Sequence, residues 1–181
     1  MQITNKTTIP PLSIIVAVDE DGGFGKDGKI PWNIPEDMAH FKEVTSGGVC
    51  IMGRKTYEDM LNMLKARKKS KKKLKEILPG RESFVVTSDV DYKAEGATAV
   101  QNIRNAIAHL DKNDHREIFV LGGYRMFIEA LPWTSTIYMT IVKNEKYQCD
   151  KFFPIEVLNN RYKIVDGKET KKLYFVTYKR G

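Results

Sequence analysis

An α/β architecture, with helices flanking a central and mostly parallel sheet, follows from three features of the chain. Apolar runs of strand length recur along it, segments that read as helices follow most of them, and glycines or hydroxyl residues stand where several runs stop. The runs are Ser13-Ile14-Ile15-Val16-Ala17-Val18, Val49-Cys50-Ile51-Met52, Phe84-Val85-Val86-Thr87 and Ile118-Phe119-Val120-Leu121. Their continuous apolar character suits strands covered on both faces, and the strand-then-helix alternation argues for parallel pairing through crossovers.

In chain order, the first run leads through Asp21-Gly22-Gly23-Phe24-Gly25-Lys26-Asp27-Gly28-Lys29 to Pro35, where a helix to Thr45 is expected. Proline suits the first helical position because its missing amide hydrogen would be orphaned there anyway. Further helices are expected from Thr56 onward, over Ile103 to Leu110 and over Tyr124 to Leu131. Tyr162-Lys163-Ile164-Val165 and Leu173-Tyr174-Phe175-Val176-Thr177-Tyr178 read as late strands, paired antiparallel across a polar turn and forming a mixed edge.

With 181 residues, 41% of them hydrophobic and 10% aromatic, the chain can bury a proper core. No repeat or linker divides it, so one domain over residues 1–181 is expected, with a basic insertion around 64–77. No apolar run nears the roughly eighteen residues of a membrane span, and Met1-Gln2-Ile3-Thr4-Asn5-Lys6 lacks the hydrophobic segment of a signal peptide. A soluble, cytoplasmic monomer with no membrane contact is the expectation. Cys50 and Cys149 show no metal-ligand spacing and fit a reducing compartment as ordinary thiols.

The formal charge of +7 is concentrated in one place. Lys65 to Lys75 holds eight basic residues and no acid; without them the chain's 30 basic residues fall to 22, against 23 acidic ones. The segment reads as a solvated face, although contact with a polyanion stays open. With no aromatic interleaved for base stacking, nucleic acid is not the expected partner.

Chemistry enters at Asp37. At about 100° per residue, the helix starting at Pro35 places Asp37 between Phe41 and Val44, within its apolar arc. A carboxylate there has its charged form disfavoured and its pKa raised, which suits it to hold or relay a proton. An acid in a first helical turn also answers the helix dipole, so Asp37 alone does not decide.

Three strand ends look built for phosphate. Gly53-Arg54-Lys55-Thr56 opens a helix with backbone donors, a hydroxyl and two cations; Gly122-Gly123-Tyr124-Arg125 repeats the strand-glycine-helix pattern; Thr87-Ser88 supplies hydroxyls. Neither G-x-G-x-x-G nor the P-loop pattern occurs. The three together nonetheless favour a dinucleotide beyond the strand ends. Metal and hydrolase chemistry has little support: His40, His109 and His115 are scattered, and neither H-E-x-x-H nor G-x-S-x-G is present.

From about Leu12 to Lys179 the chain resembles dihydrofolate reductase. The matching pieces are Ile15-Val16-Ala17, Gly25, Ile30-Pro31-Trp32-Asn33-Ile34-Pro35-Glu36-Asp37-Met38 through Phe41, Ile51-Met52-Gly53-Arg54-Lys55-Thr56-Tyr57, Leu78-Pro79-Gly80-Arg81, Val120-Leu121-Gly122-Gly123, Ile137-Tyr138-Met139-Thr140, Asp150 and Phe153-Pro154. The resemblance implies a three-layer fold with an antiparallel C-terminal edge. It implies NADPH-dependent reduction of 7,8-dihydrofolate to tetrahydrofolate, in support of one-carbon metabolism and of thymidylate and purine synthesis, in an antifolate target.

Carried onto this sequence, the resemblance implies that Asp37 binds the pterin, with Thr140 bridging to it and Trp32 ordering a water beside it. Ile15, Val16, Ala17 and Leu121 would line the pterin pocket, while Met38, Phe41, Met60 and Leu78 would grip the aminobenzoyl ring. Arg81 would hold the glutamate α-carboxylate through its guanidinium fork. For the cofactor it implies Ala17, Gly25 and Ile30, the first turn Gly53, Arg54, Lys55 and Thr56, and Thr87 with Ser88. Leu121, Gly122, Gly123, Tyr124, Arg125, Met126 and Phe127 complete that set. Arg54 with Ser88 favours a 2′-phosphate, and no acid is evident that would favour a free hydroxyl instead. The glycine-rich Asp21 to Lys29 stretch looks like a mobile lid.

The chain departs from the family pattern in three places. Tyr57 stands where tryptophan is usual, Phe127 where a tyrosine commonly lies, and the basic insertion lengthens the approach to Arg81. A riboflavin-pathway reductase on the same fold is the rival enzyme, against which Asp37 with Arg81 argues. A binding protein that uses Lys65 to Lys75 is the rival of another class.

Overall fold

A computed structural model describes residues 9–68, 72–144 and 146–181; the readings made for Met1 to Lys6 and for Lys69-Ser70-Lys71 lie outside the described residues. Its strands are β1 (Leu12–Asp19), β2 (Gly23–Gly25), β3 (Val49–Gly53), β4 (Glu82–Val86), β5 (Thr98–Val100), β6 (Ile118–Val120), β7 (Thr134–Val142), β8 (Lys151–Phe152), β9 (Tyr162–Glu169) and β10 (Leu173–Arg180). The helices are α1 (Pro35–Thr45), α2 (Arg54–Arg67), α3 (Ile103–Ala108), α4 (Tyr124–Ala130) and α5 (Glu156–Arg161), and a 3₁₀ turn spans Leu131–Trp133.

Eight strands form one sheet in the order β5-β4-β3-β6-β1-β7-β10-β9, and β2 pairs with β8 in a small ribbon. From β5 to β7 every pairing is parallel; β10 runs antiparallel to β7, and β9 antiparallel to β10. The mixed sheet with its antiparallel C-terminal edge is therefore the expected one. The chain leaves β1, crosses to β3, builds outward to β5, and returns to insert β6 between β3 and β1.

The sheet separates two sets of apolar side chains by the two-residue period of its strands. Ile14, Val16 and Val18 of β1 pack with Val120, Ile137, Met139, Met126 and Phe127 on the face covered by α3, α4 and α5. Ile15 packs with Cys50, Met52, Phe119, Leu121 and Tyr138 on the other face, under α1 and α2. Beyond β7, Trp32, Val142, Leu173 and Phe175 form a third cluster that Ala17 joins. Burial pushes the Cys50 thiol up to about 12, so it stays a neutral packing group.

Segment ends moved by local chemistry. The second helix starts at Arg54 rather than Thr56, because Gly53 already caps it in extended conformation. The helix at Tyr124 gives way to the 3₁₀ turn containing Pro132, and Thr87 falls just outside β4, its amide held by the Val100 carbonyl at 2.9 Å.

Tyr57 is 1% exposed, and its hydroxyl donates to the Glu95 carbonyl at 2.9 Å and accepts from the Glu95 amide. An indole N–H could serve only the carbonyl, so tyrosine in place of the family's tryptophan gains a second backbone partner. The Glu95 carboxylate in turn takes the Leu74 amide and pairs with Lys65 at 2.8 Å, tying the end of the basic segment to the body. Tyr57→Phe strips both backbone partners and is expected to cost about 1–2 kcal/mol in urea unfolding; an unchanged midpoint would mean water replaces the hydroxyl without loss.

Candidate active site

The α1 helix is set by Pro35 in its first turn and lies with Phe41 and Val44 against the sheet. Asp37 is half-buried on that side, and Thr140 of β7, 4% exposed, hydrogen-bonds its carboxylate. Burial raises the Asp37 pKa; the Thr140 hydroxyl and nearby His40 pull it back only partly. His40, one turn along, lies with its ring 4.1 Å from that of Phe175. Its own pKa is lowered, chiefly by burial.

Around this acid the fold gathers several of the residues proposed from sequence. Thr140 is in register with Ala17 on β1 and with Phe175 on β10. Ile15, Leu121, Phe41, Met60 and Leu78 share one apolar cluster. Trp32 is 9% exposed and meets Tyr147 edge-on at 5.1 Å. Val16 is turned away: its side chain lies in the core cluster on the opposite face of the sheet from Ile15, so only its backbone can border a ligand on this side. Met38 is 39% exposed and Ile30 is 66% exposed, both at the protein surface.

Arg81 is not a surface turn residue. It is 7% exposed, with Nη1 donating to Thr45 Oγ1 at 3.0 Å, Nε donating to the Pro79 carbonyl at 3.2 Å, and its guanidinium 5.8 Å from the Phe41 ring centre. Thr45 is itself fixed by donating to the Phe41 carbonyl at 2.7 Å. Among the described residues no ion pair joins a carboxylate to Arg81, so its charge is held by neutral groups alone, an arrangement suited to an anionic ligand. Sequence reasoning missed Thr45, whose role depends on helix α1 ending beside residue 81.

The two glycine turns meet at the ends of neighbouring strands: the Gly53 amide donates to the Gly122 carbonyl at 2.9 Å. Gly122 and Gly123 are joined by a cis peptide. A side chain on Gly53 would press on Met126 Cγ at 3.4 Å, and one on Gly122, whose φ is +113°, would meet the Phe127 ring at 3.0 Å. Met126 and Phe127 are thus buried supports under the turns, Phe127 edge-on to Phe24 and Phe153. Tyr124 and Arg125 are exposed. The α2 helix has no side-chain cap, which leaves its first amides for an anion.

Arg54, at the start of α2, is engaged from three sides. Its Nε meets Glu58 Oε1 at 2.9 Å, its Nη1 lies 3.4 Å from Asp89 Oδ2, and its guanidinium stacks 4.2 Å over Tyr92. Sequence reasoning found no acid that would favour a free 2′-hydroxyl. Asp89, two residues beyond Thr87, is an acid, and only the fold brings it to Arg54.

The expected lid is braced against a distant segment. Asp19 accepts the amides of Asp21 and Gly23 at 3.0 and 2.8 Å, Gly25 pairs with Lys151, and Asp150 Oδ2 accepts the Asp27 amide at 2.9 Å.

A family model for dihydrofolate reductase matches residues 11–180. The chain is 32% identical over 161 residues to dihydrofolate reductase of Bacillus subtilis (strain 168), covering 89% of this chain and 85% of that one. It is 33% identical over 143 residues to the type 3 enzyme of Salmonella typhimurium, covering 79% and 78%. A solved structure of Enterococcus faecalis dihydrofolate reductase complexed with NADP(H) and RAB-propyl superimposes with a TM-score of 0.75 at 30% identity, over 94% of this chain and 96% of that one.

Proposed function

The chain belongs to the dihydrofolate reductase family and carries out NADPH-dependent reduction of 7,8-dihydrofolate to 5,6,7,8-tetrahydrofolate; from that premise we propose that Asp37, Thr140 and Trp32 form its pterin end and Arg81 its carboxylate end. The observation that carries this assignment is a half-buried carboxylate with a raised pKa, hydrogen-bonded to a buried threonine on the neighbouring strand. When bound, NADPH supplies the hydride that C6 of the substrate accepts. The paired oxygens of Asp37 suit the adjacent donors at N3 and the 2-amino group, and Thr140 keeps the carboxylate oriented. Burial raises its pKa, so the site holds a proton more readily than an exposed carboxylate would, and N5 is protonated through water; Asp37 need not touch N5 itself. Trp32 limits the water at this end, which strengthens every charge interaction inside it. Ile15, Ala17 and Leu121 flank the ring, and Phe41, Met60 and Leu78 take the aminobenzoyl group.

The residues fit the cofactor. The uncapped start of α2, the backbone opening at Gly53 and Gly123, and the Arg54 cation match the needs of a pyrophosphate and a 2′-phosphate. Loss of NADPH absorbance that requires added dihydrofolate is the test. The aminopyrimidine ribityl substrate of riboflavin synthesis should give none, and turnover of that compound alone would replace this assignment.

We further infer one monomeric domain in the cytoplasm, in which the described basic residues Lys65, Arg67, Lys68, Lys72, Lys73 and Lys75 face solvent. Among the described residues no helix is long and apolar enough to cross a membrane. Light scattering should return the mass of one chain, and duplex DNA should not shift it at physiological ionic strength. Retention that fades steeply with salt would instead mark the Lys65 to Lys75 segment as a polyanion contact.

A further inference from the structure

Arg54 meets two carboxylates at the place where the cofactor reading puts a 2′-phosphate. Glu58 lies one turn along α2 and accepts from both Arg54 Nε and the Tyr92 hydroxyl, at 2.9 and 3.1 Å. Asp89 belongs to the turn after β4: its amide donates to Thr87 Oγ1 at 3.2 Å, and its Oδ1 accepts the Asp91 amide at 3.1 Å. That leaves Oδ2 aimed at Arg54, next in the chain to the exposed Ser88.

These charges act oppositely on the two nicotinamide cofactors. A phosphate dianion arriving at Arg54 must share the guanidinium with carboxylates already on it and is repelled by them. A ribose 2′-hydroxyl can donate to such a carboxylate, the contact by which acids select the unphosphorylated dinucleotide elsewhere. We propose that Asp89, with Glu58 as the second carboxylate on the same guanidinium, is a specificity-determining residue that narrows the preference for NADPH over NADH. The inference rests on the assignment of Arg54 and Ser88 to the 2′-phosphate end.

The test compares the unmodified protein with Asp89→Asn and Asp91→Asn, reading Kd for NADPH and for NADH by quenching of tryptophan fluorescence and, separately, kcat/KM with each cofactor. Asparagine keeps the acceptor for the Asp91 amide, so the turn is preserved. Asp89→Asn is expected to tighten NADPH about two- to fivefold and to weaken NADH, raising the selectivity by about fivefold or more. Asp91→Asn removes the same charge without touching Arg54 and is expected to leave the ratio alone. Equal shifts for both cofactors, an unchanged ratio, or an equal effect of Asp91→Asn would overturn the proposal. Arg54→Gln separates the underlying reading: NADPH affinity unaltered by it would show that the 2′-phosphate lies elsewhere.

Discussion

Asp37→Asn is expected to lower dihydrofolate turnover near neutral pH by about 10²- to 10⁴-fold, the range usual for loss of a positioned proton-handling group. Asparagine keeps the size of the side chain and an acceptor toward Thr140, but it can neither retain a proton for N5 nor balance positive character on the pterin. The deficit should shrink as pH falls, because a substrate already protonated at N5 no longer needs the site's proton. In the unmodified protein the rate of the reducing step should decline as pH rises through the raised Asp37 pKa. The fold provides an internal control with the opposite sign. A carboxylate whose folded pKa lies above its unfolded value binds protons more readily in the native state, so its contribution to stability is present below the unfolded pKa and lost as pH rises through the folded one. Asp37→Asn should therefore unfold at pH 7 no more easily than the unmodified chain, and possess its catalytic defect nonetheless. Unaltered turnover at pH 7 would remove Asp37 from the mechanism.

Arg81→Leu is expected to raise KM for dihydrofolate by roughly 10- to 150-fold while kcat moves little, since hydrogen bonds to a charged group contribute about 1.5–3 kcal/mol. The carboxylate it is proposed to hold is remote from C6 and N5, so the lost interaction is uniform binding rather than stabilisation of the transition state. Within the protein, Nε and Nη1 already serve Pro79 and Thr45. One Nη1–H and both Nη2–H stay free for a ligand, enough for an end-on two-point clamp whose aim, and not only its charge, is set by those two bonds. Arg81→Lys tests the difference: it keeps the charge but loses the bonds that aim it, and should recover only part of the affinity. A KM unchanged by Arg81→Leu would rule out the carboxylate role.

Helix α1 and the cleft's acid were legible in the sequence because proline sets the helix start and the spacing of Phe41 and Val44 defines which side is buried. The four continuous apolar runs gave away β4, β3, β6 and β1, the middle of the parallel part of the sheet, for a similar local reason. By contrast β7, whose Thr134-Ser135-Thr136-Ile137-Tyr138-Met139-Thr140-Ile141-Val142 interleaves hydroxyl and apolar residues, was visible only as a family motif, although it lies beside β1 at the centre of the site. The β5 strand, of three residues, is too short to carry a periodic signal. Grouping Val16 with Ile15 and Ala17 followed the motif and overlooked the alternation that sends its side chain through the sheet. Thr45 and Asp89 escaped notice because their partners lie 36 and 35 residues away, and which distant residues meet is decided by strand order rather than by local pattern.

The late insertion of β6 bears on synthesis of the chain. When the first hundred residues have left the ribosome, β3, β4 and β5 can pair with one another, whereas β1, almost wholly apolar and eight residues long, has neither of its neighbours. It must wait for Ile118–Val120 on one side and Thr134–Val142 on the other. A ribosome pausing in that interval would present a sticky nascent strand to chaperones, and the proposed pterin end, with Ile15 and Thr140 as its walls, can close only after translation has passed both.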